Sequence, residues 1–236
     1  MANIKNNASA QETRRKLIDA AGKVFAERGL HAATLKEITD LAGVNQASVN
    51  YHFSDKYELY AAVIRQALSL TPCTLPAAQM AGSPEDRLRA FIAQAIRDSH
   101  DVTRPAWRAT MVSHELNQPT AAMDAVMDEL IWPRVCFVKG LIRDLLGLTA
   151  SDEEVSQGAF SVFAQFVHYL YGAGLLRRIE PELVGPENAD RLAAHIADFS
   201  LAGLHSMRAR HRRTDRHHRL TGLRGNSERD MTCSPS

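Results

Sequence analysis

Residues 34–53 read TLKEITDLAGVNQASVNYHF. Thr34 and Glu37 stand at capping-box spacing, with the Thr hydroxyl set to accept from the Glu amide and the carboxylate to reach back. A helix therefore starts after Thr34, turns Ile38 inward and stops at Ala42-Gly43, because glycine accepts the left-handed conformation that ends a helix. Asn45 can cap a third helix over 46–52, with Val49 and Phe53 inward. Two short, separately capped helices joined by a tight turn make a helix-turn-helix. Working outward, Leu17, Ala21, Val24 and Phe25 recur at helical spacing and place a first helix over 12–28, halted by Gly29. Ser54-Asp55 opens a fourth that runs to about residue 70.

The second helix of such a motif lies in the DNA major groove. Its outward positions are Gln46, Ala47, Ser48, Asn50 and Tyr51. Gln and Asn can pair bidentately with adenine, Ser with either partner type, and Ala can meet a thymine methyl. His52 and Lys56 sit where phosphates pass, and the helix starts at Thr34 and Ser54 can offer backbone amides to phosphates. Lys36 and Asn45 complete the candidate DNA-binding set.

Beyond this unit, Pro72 and Pro76 mark 71–82 as a linker. Ser83-Pro84-Glu85-Asp86 combines an N-cap, a first-turn proline and two acids that suit the positive end of a helix. Further helices are expected over 104–116, over 119–148 with a kink at Pro133, over 152–178 and over 187–210. β-branched alternation never persists, so the fold class is all-α. The expected organisation is a DNA-binding domain over 11–70, an effector-binding and dimerisation domain over 83–210, and a disordered basic tail over 211–236.

Composition excludes several classes. The 236 residues carry 28 Lys plus Arg against 27 Asp plus Glu, but unevenly: residues 1–68 hold 9 basic and 7 acidic side chains, 69–206 hold 11 and 17, and 207–236 hold 8 and 3. A mildly basic head on an acidic body implies two units with different partners. Cys73, Cys136 and Cys233 are too scattered for a disulfide framework or a zinc knuckle. Residues 1–10 lack the apolar core of a signal peptide. The most apolar stretch, 160–176, contains Ser161, Gln165 and His168 and is too short to span a bilayer. A cytoplasmic protein without membrane partners is expected.

Trp107, Met111 and His114 share one helical face and, with Trp132, Phe166 and Tyr169, are the candidates for lining a small-molecule pocket. His114-Glu115 and His168 lack the HxxxH or HExxH spacing of a metal site, so no metal or cofactor is expected. Ser113-His114-Glu115 has the letters of a catalytic triad, yet adjacent helical residues point apart, so no enzyme is expected.

Residues 14–59 resemble the DNA-binding domain of the TetR/AcrR family of transcriptional regulators. The resemblance rests on Arg14, Ala20-Ala21, Phe25, Gly29, Thr34, Ile38, Ala42-Gly43-Val44, His52-Phe53, Lys56 and Leu59. Asn50 departs from the tyrosine of many members and Ala47 from their glycine, so the family's base contacts are not carried over. The VNYHF version, with His114-Glu115-Leu116-Asn117-Gln118-Pro119-Thr120 and Leu130-Ile131-Trp132-Pro133, is similar to the CecR-like (CerR-like) branch. What the resemblance implies is a homodimer built from the last two long helices, reading a near-palindromic operator and most often repressing until a small-molecule effector releases it. The rival readings are an activator with the same motif, and a ligand-binding helical protein that keeps the motif as a structural cap.

Overall fold

The structure, a computed structural model, describes residues 2–69, 82–101, 103–183 and 185–227. The elements are α1 (Ala2–Ala32), α2 (Leu35–Ala42), α3 (Ala47–His52), α4 (Lys56–Ser69), α5 (Pro84–Ser99), α6 (Trp107–Asn117), α7 (Ala121–Val126), a π-helical turn (Met127–Ile131), α8 (Trp132–Leu146), α9 (Asp152–Tyr171), α10 (Ala173–Ile179) and α11 (Ala189–Ser227). Two 3₁₀ turns, Pro181–Leu183 and Pro186–Asn188, lead into α11. No strand occurs among the described residues.

The capping box expected at Thr34 forms, the N-cap at Ser83 completes a full box, and a third box appears at Ser151. Thr34 Oγ1 accepts from the Glu37 amide at 3.2 Å while the Thr34 amide donates to the Glu37 carboxylate at 3.0 Å. Ser83 with Asp86, and Ser151 with Glu154, repeat the exchange at the starts of α5 and α9. Gly43 closes α2 at φ 65°, and the Val44 amide reaches back to the Thr39 carbonyl at 3.1 Å. Gly29, at φ 76°, interrupts α1 between the long regular helix and its last turn.

The structure departs from the sequence expectation in four elements. α1 starts ten residues early, because Ala8, Ala10 and Gln11 favour helix and nothing breaks them. The single kinked helix over 119–148 is three pieces. Thr120 caps α7, and the π turn takes up the mismatch ahead of Pro133, which then sits harmlessly in the first turn of α8. The helix over 152–178 breaks at Gly172, where a Cβ would stand 2.7 Å from the His168 carbonyl oxygen. Finally, α11 runs past residue 210 and continues through Ser227. The linker over 71–82 lies outside the described residues except for Gly82, as do 228–236.

Two cores form, and their border is not the linker. The first gathers Leu17, Phe25, Ile38, Val49, Phe53, Leu59 and Val63 with Trp107, Met111, Val126 and Leu130, so α6, α7 and the π turn pack on the N-terminal helices. The second is built by α5, α8, α9 and α11 around Leu88, Ile92, Ile142, Val155, Phe166 and Ile196. Gly158 lets α9 approach closely: a Cβ there would meet Ile142 at 2.9 Å and Leu204 at 3.1 Å.

Candidate nucleic-acid interface and its connection to the second unit

Burial of Val49 (0%) and Phe53 (2%) orients α3. With those anchors inside, Gln46, Ala47, Asn50 and Tyr51 are exposed, while Ser48 and His52 are half-buried. Tyr51 is 78% exposed, and the His52 ring stands edge-on against it with centroids 4.9 Å apart. Asn45 Oδ1 accepts from the Ala47 amide at 3.0 Å, so Asn45 serves the start of α3. Thr34 and Lys36 are exposed on the neighbouring α2.

Two expected phosphate contacts have other work in the structure. Lys56 Nζ donates to the carbonyls of His31 (3.2 Å) and Ala33 (3.1 Å), tying the end of α1 to the start of α4. The start of α4 is capped by Asp55, whose Oδ1 accepts from the Tyr57 and Glu58 amides, both at 2.8 Å. Ser54 meanwhile donates to Glu58. Those bonds hold the Glu58 carboxyl below its usual range. Two of the amides at this helix start are thus engaged by Asp55, and two carboxylates stand beside it. The Arg14 guanidinium lies 5.2 Å from the centroid of the Phe53 ring that closes the motif, a contact that joins α1 to the end of α3.

The N-terminal helices meet the rest of the molecule through buried polar links. Glu115, 1% exposed on α6, accepts from the Tyr60 hydroxyl of α4 at 2.7 Å and from the Thr120 amide and hydroxyl, both at 2.9 Å. Burial first, and Glu115 second, push the Tyr60 phenol well up. At the far end of α4, Arg108 donates through Nε (3.1 Å) and Nη2 (2.7 Å) to the Ala67 carbonyl, and Arg134 Nη2 donates to the Leu68 carbonyl at 2.6 Å. These arginines supply donors to carbonyls that a helix C-terminus leaves without partners. On the surface, Arg65 of α4 pairs with Glu129 of the π turn at 2.9 Å.

A cavity of about 680 Å³ lies against α6, bounded by the ends of α5 and α9 and by α10. Of the six pocket candidates, His114 and Tyr169 line it. Trp107 does not: it packs into the first core, with Nε1 donating to Asp19 at 3.0 Å and the indole where a Cβ on Gly22 would stand. Met111 belongs to the same core and Phe166 to the second, while Trp132 is 52% exposed on the surface. The shared helical face of Trp107 and Met111 did point inward, but the first core rather than the cavity claims both, and the second core claims Phe166. The cavity wall also carries Arg104, Arg108, Tyr171 and Arg177, which a hydrophobic-stripe search passes over.

Residues 84–204 match the family described as the C-terminal domain of the HTH-type transcriptional dual regulator CecR, and residues 17–63 match the bacterial regulatory proteins of the tetR family. The chain belongs to the TetR/AcrR family, with a CecR-type C-terminal domain. Among the family's curated members, the transcriptional activator FasR of Mycolicibacterium smegmatis is 33% identical over 118 residues, covering 50% of this chain and 53% of that protein. The transcriptional repressor BepR of Brucella suis is 40% identical over 63 residues, covering 27% of this chain and 30% of that protein. The chain thus spans about half or less of the length of these relatives. The TetR-family fold extends further than the sequence identity. FadR of Bacillus halodurans, a fatty acid degradation regulator, superposes with a TM-score of 0.61 at 16% identity over 81% of this chain and 96% of that one. SmeT, the repressor of the Stenotrophomonas maltophilia multidrug efflux pump SmeDEF, gives 0.56 at 21% identity over 81% and 91%. No helix of the described residues is long and apolar enough to cross a membrane.

Proposed function

We propose that the protein is a transcriptional repressor that binds a near-palindromic operator as a homodimer, with α3 in the major groove, and that a small molecule in the 680 Å³ cavity releases it. The observation that carries this reading is the face of α3. Gln46, Asn50 and Tyr51 stand exposed on a helix whose two apolar residues are fully engaged beneath, leaving a polar, adaptable edge for bases. Asn50 and Gln46 are the base readers, Tyr51 and His52 the edge that meets backbone and base together, and Thr34 and Lys36 of α2 the phosphate contacts.

Support for the dimer comes from α9 and α11. Phe160 and Phe199, 59% and 66% exposed, lie on their outer faces with exposed Ala164, Ala202 and Gly203. Small residues around two aromatics suit a close isologous helix pair. Such a dimer sets two α3 helices about 34–36 Å apart, one turn of DNA. Effector binding acts by favouring a dimer whose α3 helices no longer match that spacing, with α4 as the lever between cavity and motif. Repression is the chosen sense because occupancy of a promoter alone blocks transcription.

The test is capture of sheared host DNA on the full-length protein, sequenced at two salt concentrations. Peaks that share an inverted repeat and weaken with salt support the reading, because phosphate contacts release counterions. Featureless enrichment that disappears at modest salt would overturn it.

A further inference from the structure

Arg108 is a guanidinium without a carboxylate. It stands half-buried on α6 in the wall of the 680 Å³ cavity, and its bonds run to the neutral Ala67 carbonyl at the end of α4. Burial works against its charge, and the nearby Arg104 works in the same direction. The carboxylates of the wall support its charge only from a distance, since their direct ion pairs, of Asp98 at 2.9 Å and Asp101 at 3.0 Å, are with Arg104. Arg177 of α10 lines the same space and is exposed. Three arginines against two aspartates leave the wall net cationic by one charge. Arg104 adds a second demand, since its Nη1 is buried and lacks a hydrogen-bond partner, as does Asp98 Oδ2 beside it. The remaining wall mixes Tyr169, Leu170 and Val112 with the polar side chains of His100, Thr110, Ser113 and His114. A space of this volume suits one drug-sized molecule, for which typical pockets run from about 300 to 1,000 Å³.

We infer that this cavity takes a small organic anion, an aromatic or aliphatic carboxylate whose charged end is bound by Arg108 and Arg177. The inference rests on the cavity's being the effector site, and it adds the chemical class and the residue that reads it. A planar carboxylate matches the guanidinium fork bidentately and supplies the counter-charge that the Ala67 carbonyl cannot. A cation would have to displace Arg104 from both aspartates, and a neutral ligand leaves Arg108 as it is. A carboxylate that takes the Nε–Nη2 edge of the Arg108 fork, rather than its Nη1–Nη2 edge, competes with the Ala67 carbonyl for those donors. Anion binding on that edge therefore loosens the last turn of α4.

The experiment compares 2-naphthoate, 2-naphthamide and 2-naphthamidine, one ring system in three charge states, by calorimetry on the full chain. The acid is expected to bind at least tenfold more tightly than the amide, and Arg108→Gln to weaken the acid about ten- to a hundredfold while leaving the amide unchanged. Arg177→Gln, at an exposed position, gives a smaller loss and keeps the test alive if Arg108→Gln misfolds. Amide exchange over 66–69 speeds on acid binding and not on amide binding; exchange that stays unchanged with the acid bound overturns the competition. Equal binding of acid and amide, tighter binding of the amidine, or no acid binding at millimolar concentration overturns the anion assignment. Ala109→Trp, which fills the cavity from α6, separates the two levels. Where the anion assignment has been overturned, a block of the amide or the amidine by this variant makes the cavity a ligand site of another class. If it leaves every probe bound, the cavity reading itself fails.

Discussion

Tyr51 and Tyr60 lie nine residues apart and mark opposite roles for one residue type. Tyr51 is 78% exposed, touches no core and stands on α3, so truncating it removes contact surface without disturbing the fold. Tyr51→Ala is expected to abolish selective capture of the operator while changing stability by no more than about 0.5 kcal/mol, checked by urea unfolding beside a mobility-shift assay. Tyr60 is buried, and its hydroxyl donates to Glu115. Its phenol is pushed up from 10.0 by burial and by that carboxyl. Above pH 10 the unfolded chain therefore loses a proton that the folded chain keeps. The Tyr60 contribution is present below pH 10 and drains away as pH rises toward the folded value. Tyr60→Phe is expected to lower stability by about 1 kcal/mol at neutral pH and to flatten the decline between pH 9 and pH 11, read from urea midpoints. An unaltered slope would place the alkaline titration elsewhere. Sequence alone identified Tyr51 as outward because Val49 and Phe53 fix the phase of α3. It could not assign Lys56, because two carbonyls 23 and 25 residues upstream decide its role.

At the scale of the element, what the sequence disclosed was local chemistry. Each capping box completes itself within four residues, so Thr34 and Ser83 announce their helices before any tertiary contact exists, and Ser151 carries the same signal although it was passed over. The glycines at 172 and 174 could already mark a helix end, whereas the break at the π turn was not legible, because a helix tolerates a first-turn proline until packing on both sides demands a change of direction. The same limit hid the allegiance of α6. Its stripe of Trp107 and Met111 was visible, but whether that stripe faces a cavity or the N-terminal core depends on α1 and α4. The capping box of α2 carries its own prediction. Hydrogen bonds from the Thr34 hydroxyl and amide hold the Glu37 carboxyl below its ordinary value of 4.5. That stabilisation is complete above pH 4.5 and is lost as pH falls through the lowered folded value. Thr34→Ala is expected to cost about 1 kcal/mol at neutral pH. The gap from the parent protein should narrow in acid, measured by urea unfolding at pH 7 and pH 3. A gap that persists at pH 3 would assign the loss to packing rather than to the cap.

Across the whole molecule, the N-terminal helices are joined to the second unit at both ends of α4. Tyr60 with Glu115 holds one end, and Arg108 and Arg134 hold the other, so motif and cavity wall share one rigid element rather than a hinge. While those bonds hold, the spacing of two α3 helices is set by the dimer interface, and the α4 lever acts only when a ligand releases them. On the proposed dimer, Phe199 lies on the outer face of α11, 66% exposed, where replacement removes nothing from the protomer's own core. Phe199→Glu places two like charges across an isologous contact, since each residue of a two-fold interface meets its own symmetry-related neighbourhood. The expected result is a folded monomer by sedimentation, with helical content and unfolding midpoint close to the parent's. Operator affinity should fall about a hundredfold or more, because the second half-site no longer benefits from a tethered partner. The salt dependence separates this from a damaged reading head. A monomer engages half the phosphates, so its log-affinity slope against log salt should be about half that of the dimer. Loss of affinity with an unchanged slope would mean that both motifs still bind together, and that the contact between protomers lies on another face.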